Sequence, residues 1–251
     1  EEGTNVLLLS YTNRAVDEIC SKLVELKGEN PGFDFMRIGS ELSCSKEYRR
    51  YLMCNKLKSE DTKSGERLIQ ATRVFCGTTA ALNANMPLLQ IKRFSLAIVD
   101  ESSQILEPHL IGLLSAREGN SCRIDRFVLI GDHKQLPAVV QQTPEESAVT
   151  EPELRDIHLS DCRLSLFERL LAQFKTDSGD YDEHFVYMLT EQGRMHRDIA
   201  EFANYAFYGN RLDIVPLDHQ LLPNVRKDTG NSIITMLTTR RIAFVTAEPE
   251  K

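Results

Sequence analysis

Uninterrupted apolar runs of four to six residues alternate with longer amphipathic stretches over the first half of the chain. Residues 5–10, Asn-Val-Leu-Leu-Leu-Ser, read as a strand buried on both faces, and residues 13–26 repeat Ala15, Val16, Ile19, Leu23 and Leu26 at helical spacing. After the turn signal Asn30-Pro31-Gly32, residues 35–39 predict a short strand, and residues 73–78 predict another with a helix or turn at 80–84. Two further strands stand out because each ends in a polar tip. Leu96-Ala97-Ile98-Val99 runs into Asp100-Glu101-Ser102-Ser103-Gln104, and Val128-Leu129-Ile130 runs into Gly131-Asp132-His133-Lys134-Gln135-Leu136-Pro137. Between them, residues 106–115 predict a helix with Pro108 in its first turn, where a missing amide costs little.

Alternation of strand and helix predicts an α/β fold with an open parallel sheet. The carboxyl ends of neighbouring parallel strands face one crevice, so Asp100, Glu101, Asp132 and Gln135 are expected to converge on one ligand. Residues 141–161 lack periodicity and read as a long loop or lid, 164–174 as a helix, and 175–183 as a linker. Beyond it, 185–190 predicts a strand entering a second lobe. A helix follows with Ile199, Phe202, Ala203 and Phe207 on one face, and 242–245 predicts a further strand.

Composition narrows the classes. The 251 residues are 41% hydrophobic, enough for a full core in one large domain and part of a second. The net charge of −7 supplies no overall basic field for nucleic acid, so such contacts must come from local patches and backbone amides. Residues 41–73 are the exception, a charged helical insertion with a mildly basic face, although charge alone favours a solvated helix pair that touches nothing. No apolar run approaches the ~20 residues that span a bilayer. Six cysteines without a Cys-x-x-Cys pairing predict a reduced, metal-free, cytoplasmic setting, or a nuclear one in a eukaryote.

Candidate chemistry follows from the strand tips. An acid at the end of a hydrophobic strand can hold Mg²⁺ through water, which suits Asp100, and an adjacent carboxylate can take a proton from an attacking water, which suits Glu101. Capping of the next helix is the plainer use of such a pair. Gln135 can bond a phosphate oxygen without changing charge. Arg194, in Gln192-Gly193-Arg194-Met195-His196, can neutralise charge that develops in phosphoryl transfer, or can serve as a salt-bridged residue at a helix start.

In family order, five segments resemble the motifs of superfamily 1 helicases of the Upf-like 1B branch: 11–17 (motif Ia), 74–79 (Ic), 100–104 (II), 131–137 (III) and 192–196 (IV). The resemblance implies a RecA-like parallel sheet flanked by helices, of the P-loop NTPase type. It divides the chain into a first RecA-like lobe at 1–40 and 74–183, a helical insertion at 41–73 and the start of a second lobe at 184–251. It implies an ATP- and Mg²⁺-dependent motor that tracks single-stranded DNA or RNA, with further domains of the same polypeptide as partners. Glu101, Gln135 and Arg194 would be catalytic, Asp100, Gln104, Asp132 and Gln192 would bind ATP and Mg²⁺, and Ser10, Thr12, Asn13, Thr78 and Thr79 would touch the nucleic-acid backbone. Hydroxyls and amides at strand ends suit that task because they grip phosphate without reading bases. Thr12 and Asn13 can also cap the helix behind them.

Two features depart from the family pattern. Gly193 stands where an adenine-stacking aromatic is common, and Ala138 replaces a second proline. The Gly-x-x-x-x-Gly-Lys-Ser/Thr phosphate loop and motifs V and VI are absent from these residues, so this stretch alone is expected not to turn over ATP. A non-catalytic RecA-like module that binds nucleic acid or protein is the alternative reading.

Overall fold

The computed structural model describes residues 3–223, 230 and 232–242. The chain divides into two compact units, Glu1–Tyr181 and Asp182–Lys251.

Unit 1 is built on β1 (Val6–Ser10), β2 (Phe35–Ile38), β3 (Val74–Thr78) and β4 (Leu96–Val99). A two-residue hairpin, β5 (Arg117–Glu118) with β6 (Ser121–Cys122), precedes β7 (Phe127–Leu129). Apart from the hairpin these strands form one sheet in the order β2-β3-β1-β4-β7, parallel throughout. The α/β architecture expected of a RecA-like lobe is therefore present. The unbroken apolar run of β1 reflects its central place, because helices cover both faces of such a sheet.

One face carries Leu7, Leu9, Met36, Ile38, Phe75, Ala97 and Val99, packed with Leu82, Leu110 and Leu113. The opposite face carries Phe35 and Cys76 beneath Val16, Cys20 and Leu23 of the helix Asn13–Glu29. Thr12 starts that helix by accepting the Ala15 amide at 3.2 Å. Gly77 lets β3 lie close to β2, since a Cβ there would meet the Ile38 Cβ and carbonyl oxygen at 3.0 Å.

Between β2 and β3 the chain winds through two 3₁₀ turns and the helices Met53–Leu57 and Thr62–Ala71. Tyr51 stacks on Phe35 with ring centroids 4.3 Å apart, and Asp34 accepts from Lys27 at 2.7 Å and also from Lys56. Arg37, fully buried in β2, pairs with Asp17 and donates to the Ser43 carbonyl at 3.0 Å. A charge in that position survives because its partners travel with it.

The helix Pro108–Leu114 leads to the hairpin and β7. Past β7, the stretch expected to be one long loop contains the short helices Pro144–Ser147 and Pro152–Asp156, and the helix Leu166–Gln173 closes the unit. Proline at the first position of both short helices nucleates them where periodicity gives no sign.

In unit 2, β8 (Glu191–Gln192) pairs in parallel with β9 (Asp213–Ile214), and the helix Arg197–Phe207 spans the residues its periodicity predicts. The strand expected at 185–190 does not form: those residues carry no strand assignment, although the Thr190 carbonyl accepts the Asp213 amide at 2.7 Å, and Phe185, Tyr187 and Leu189 are exposed. Of the strand expected at 242–245, residues 243–245 lie outside the described residues. No helix of the described residues is long and apolar enough to cross a membrane.

Candidate nucleotide-binding site

Val99 and Leu129 are register partners, so the segments leaving β4 and β7 emerge side by side. The Asp100 amide donates to the Leu9 carbonyl at 2.8 Å, which extends the sheet one step beyond β4. Glu101 then turns left-handed, at φ 53° and ψ 35°, a conformation that costs a non-glycine residue about 1–2 kcal/mol. Strain of this kind persists only where neighbours hold it. The holding bonds lie on both sides: Asp100 to Leu9 before it, and the Ser102 amide to the Ile130 carbonyl at 2.8 Å after it.

Asp100, Glu101, Gln104 and Asp132 are half-buried, and Gln135 is exposed. Gln104 Nε2 donates to Glu101 Oε2 at 3.1 Å. In the next loop, Asp132 accepts the Lys134 amide at 2.9 Å through Oδ1 and Gln135 Nε2 at 2.9 Å through Oδ2. The Asp100 carboxylate makes no hydrogen bond or ion pair among the described residues, so its oxygens stay open to an outside ligand. A single open carboxylate is a suitable donor for a Mg²⁺ that keeps most of its water, and no cluster of three or more acids, histidines or cysteines exists among the described residues for a dehydrated ion. Five of the predicted residues, Asp100, Glu101, Gln104, Asp132 and Gln135, are thus gathered on two joined strand tips.

Unit 2 holds the other two predicted nucleotide residues on one loop. Arg194 is exposed, and its guanidinium makes no ion pair among the described residues. Gln192 is differently placed. Its Oε1 accepts the Arg194 and Met195 amides at 3.1 and 2.8 Å, and its Nε2 donates to the Met195 carbonyl at 3.0 Å. The side chain expected to bind ATP thus also shapes its own loop.

Gln220, which sequence reasoning missed, is fully buried and donates to the carbonyls of Gln192 at 2.8 Å and Met195 at 3.0 Å. Nothing near it in sequence signals this. His196 Nδ1 accepts the Asp198 amide at 3.1 Å, so in the neutral ring Nε2 carries the proton and donates to the Leu222 carbonyl at 2.9 Å.

The expected nucleic-acid contacts separate into two groups. Thr12 and Asn13 are exposed at the head of the helix Asn13–Glu29. Ser10, Thr78 and Thr79 are 0, 6 and 3% exposed, too little for their hydroxyls to meet a strand at the surface. Ser10 Oγ has no partner among the described residues, while Thr78 accepts the Ala81 amide at 3.0 Å as a helix cap. Ser10 and Thr78 end the strands β1 and β3, and Thr79 opens the helix Thr79–Asn83, so all three lie beneath their neighbours.

Two family models, each described as an AAA domain, match the chain, one over residues 43–143 and the other over residues 162–246. The first contains both polar strand tips, and the second contains the Gln192–His196 loop. The chain carries two AAA domains of the kind typical of Upf-like superfamily 1 helicases. Among similar proteins, the DNA replication ATP-dependent helicase/nuclease JHS1 of Arabidopsis thaliana is 35% identical over 84% of this chain and 13% of its own length. The DNA replication ATP-dependent helicase/nuclease DNA2 is 33% identical in Gallus gallus and 31% in Homo sapiens, each over 84% of this chain, and over 18% and 17% of the relative. The chain thus spans less than a fifth of the length of these relatives.

Proposed function

We propose that this chain is part of an ATP-driven motor that moves along single-stranded nucleic acid, with DNA as the track. The observation that carries the reading is the pair of bonded strand tips that leave the Asp100 carboxylate open beside Glu101 and the Gln135 loop. Asp100 would hold a hydrated Mg²⁺, which when bound offsets phosphate charge. Glu101 would accept the proton of the attacking water, with Gln104 orienting its carboxylate, and Gln135 would bond the terminal phosphate. Arg194, exposed on a stapled loop, would stabilise the charge that develops in transfer.

Thr12 and Asn13, at a helix start on the same sheet edge as these tips, would hold backbone phosphate. Ser10, Thr78 and Thr79 would support that surface from below. Residues 1–40 and 74–183 would form the first lobe around the insertion at 41–73, with 184–251 in the second. That the relatives are named DNA replication helicase/nucleases favours DNA over RNA and an intracellular, nuclear place of work.

The test is ATP turnover by the intact polypeptide, with and without single-stranded DNA or RNA. Turnover stimulated by DNA and reduced at least about a hundredfold by Glu101→Gln is expected, in keeping with loss of a general base. Turnover that is indifferent to Glu101 would refute the assignment. Residues 1–251 alone are expected to show none, because they supply no glycine-rich phosphate loop.

A further inference from the structure

Ser102 and Ser103 bring the least chemistry to the run from Asp100 to Gln104, yet they are its most buried members, 0 and 2% exposed. Their hydroxyls face the neighbouring strand tip. Ser102 Oγ donates to the Ile130 carbonyl at 2.8 Å, and the Ser102 amide reaches the same oxygen at 2.8 Å. Ser103 Oγ accepts the Asp132 amide at 3.1 Å. The approach is close enough that a Cβ on Gly131 would lie 2.8 Å from the Ser103 amide nitrogen and 3.1 Å from both serine hydroxyls.

The helix Leu166–Gln173 also packs against this turn, and its Arg169 Nε and Nη2 donate to the Glu107 carboxylate at 2.7 Å each. Bonds then continue outward from Ser103 through Asp132 to the Gln135 carboxamide.

We infer that Ser103 is a positioning residue: with Ser102 and Gly131 it forms a latch that fixes the loop bearing Asp132 and Gln135 against the strained turn bearing Glu101. The inference rests on the function proposed above, and it assigns the spacing of the two groups facing the water and the terminal phosphate to a hydroxyl that touches neither. Ser102 keeps the frame, and Ser103 sets the Gln135 loop within it.

The test is a double-mutant cycle in the intact polypeptide, read as DNA-stimulated ATP turnover for Ser103→Ala, Gln135→Ala and the pair. Loss of one hydrogen bond predicts a fall in kcat of roughly threefold to tenfold for Ser103→Ala, with KM for ATP within about twofold of the parent. In the Gln135→Ala background the same change should cost less than about twofold, whereas a general loss of packing would lower turnover equally in both backgrounds. Faster hydrogen exchange at the Asp132 amide in Ser103→Ala gives a readout that needs no turnover.

Turnover that depends on Glu101 but is unmoved by Ser103→Ala overturns the latch and leaves the proposed function standing, as does an equal loss in both backgrounds. Turnover indifferent to Glu101→Gln overturns the function and the catalytic meaning of the latch with it.

Discussion

Gln104 reaches back three residues and places its Nε2 3.1 Å from Glu101 Oε2, so the carboxylate read as the base has an amide donor of its own. A 3₁₀ turn at Ser102–Gln104 makes that reach short. Gln104→Ala should lower ATP turnover of the intact polypeptide roughly threefold to tenfold through a less ordered Glu101, the magnitude of one hydrogen bond. Steady-state kinetics check it, and an unchanged kcat would separate Gln104 from catalysis.

Gly131→Ala should destabilise unit 1, because the new methyl enters space held by the Ser103 backbone rather than by a movable side chain end. About 1–3 kcal/mol is expected, the usual penalty for overpacking. Urea denaturation followed by far-UV circular dichroism reads it directly. Gly119, at φ 56° with nothing near its absent Cβ, tests backbone conformation alone, and Gly119→Ala should cost less than about 2 kcal/mol.

Acid should loosen the tie between residues 41–73 and the sheet. Burial works to raise the Asp34 carboxyl, but hydrogen bonds from Lys27 and Lys56 outweigh it and leave the group below the usual carboxylate range. A depressed folded value means that the contribution is present above the unfolded value of about 3.9 and is lost as pH falls through the lower folded one. Asp34 is partly exposed, so the step is small. Stability measured between pH 5 and pH 2 should fall less steeply in Asp34→Asn than in the parent, and identical slopes would dismiss the pair as a stabilising feature.

Ser10 and Thr12 should behave oppositely. Ser10→Ala removes a buried hydroxyl without a partner among the described residues, so stability should stay level or rise and DNA affinity should not change. Thr12→Ala removes a helix cap and an exposed hydroxyl, and should cost about 1 kcal/mol of stability together with a loss of affinity for single-stranded DNA. Fluorescence anisotropy on a labelled oligonucleotide and thermal melting distinguish the two.

The sequence made the sheet legible because strands buried on both faces, such as Val6–Ser10, have few other ways to read, and their polar ends located the strand tips. Side-chain direction was less accessible. Position alone made Ser10, Thr78 and Thr79 look like surface groups, although a residue at the end of a central strand can still lie under its neighbours. The continuous apolar run at 185–189 imitates a strand, but a ladder needs a second strand and pattern carries no word of one. The left-handed turn at Glu101 escaped notice because glutamate gives no local hint of positive φ. Gln220 lies 28 residues from Gln192, beyond any local signal.

The clasp of Gln192 and Gln220 around the Met195 carbonyl has a consequence for whatever meets Arg194. Since side-chain hydrogen bonds already hold the loop beneath that guanidinium, an arriving anion has mainly the arginine's own torsions to freeze, and more of the contact energy survives as affinity or rate.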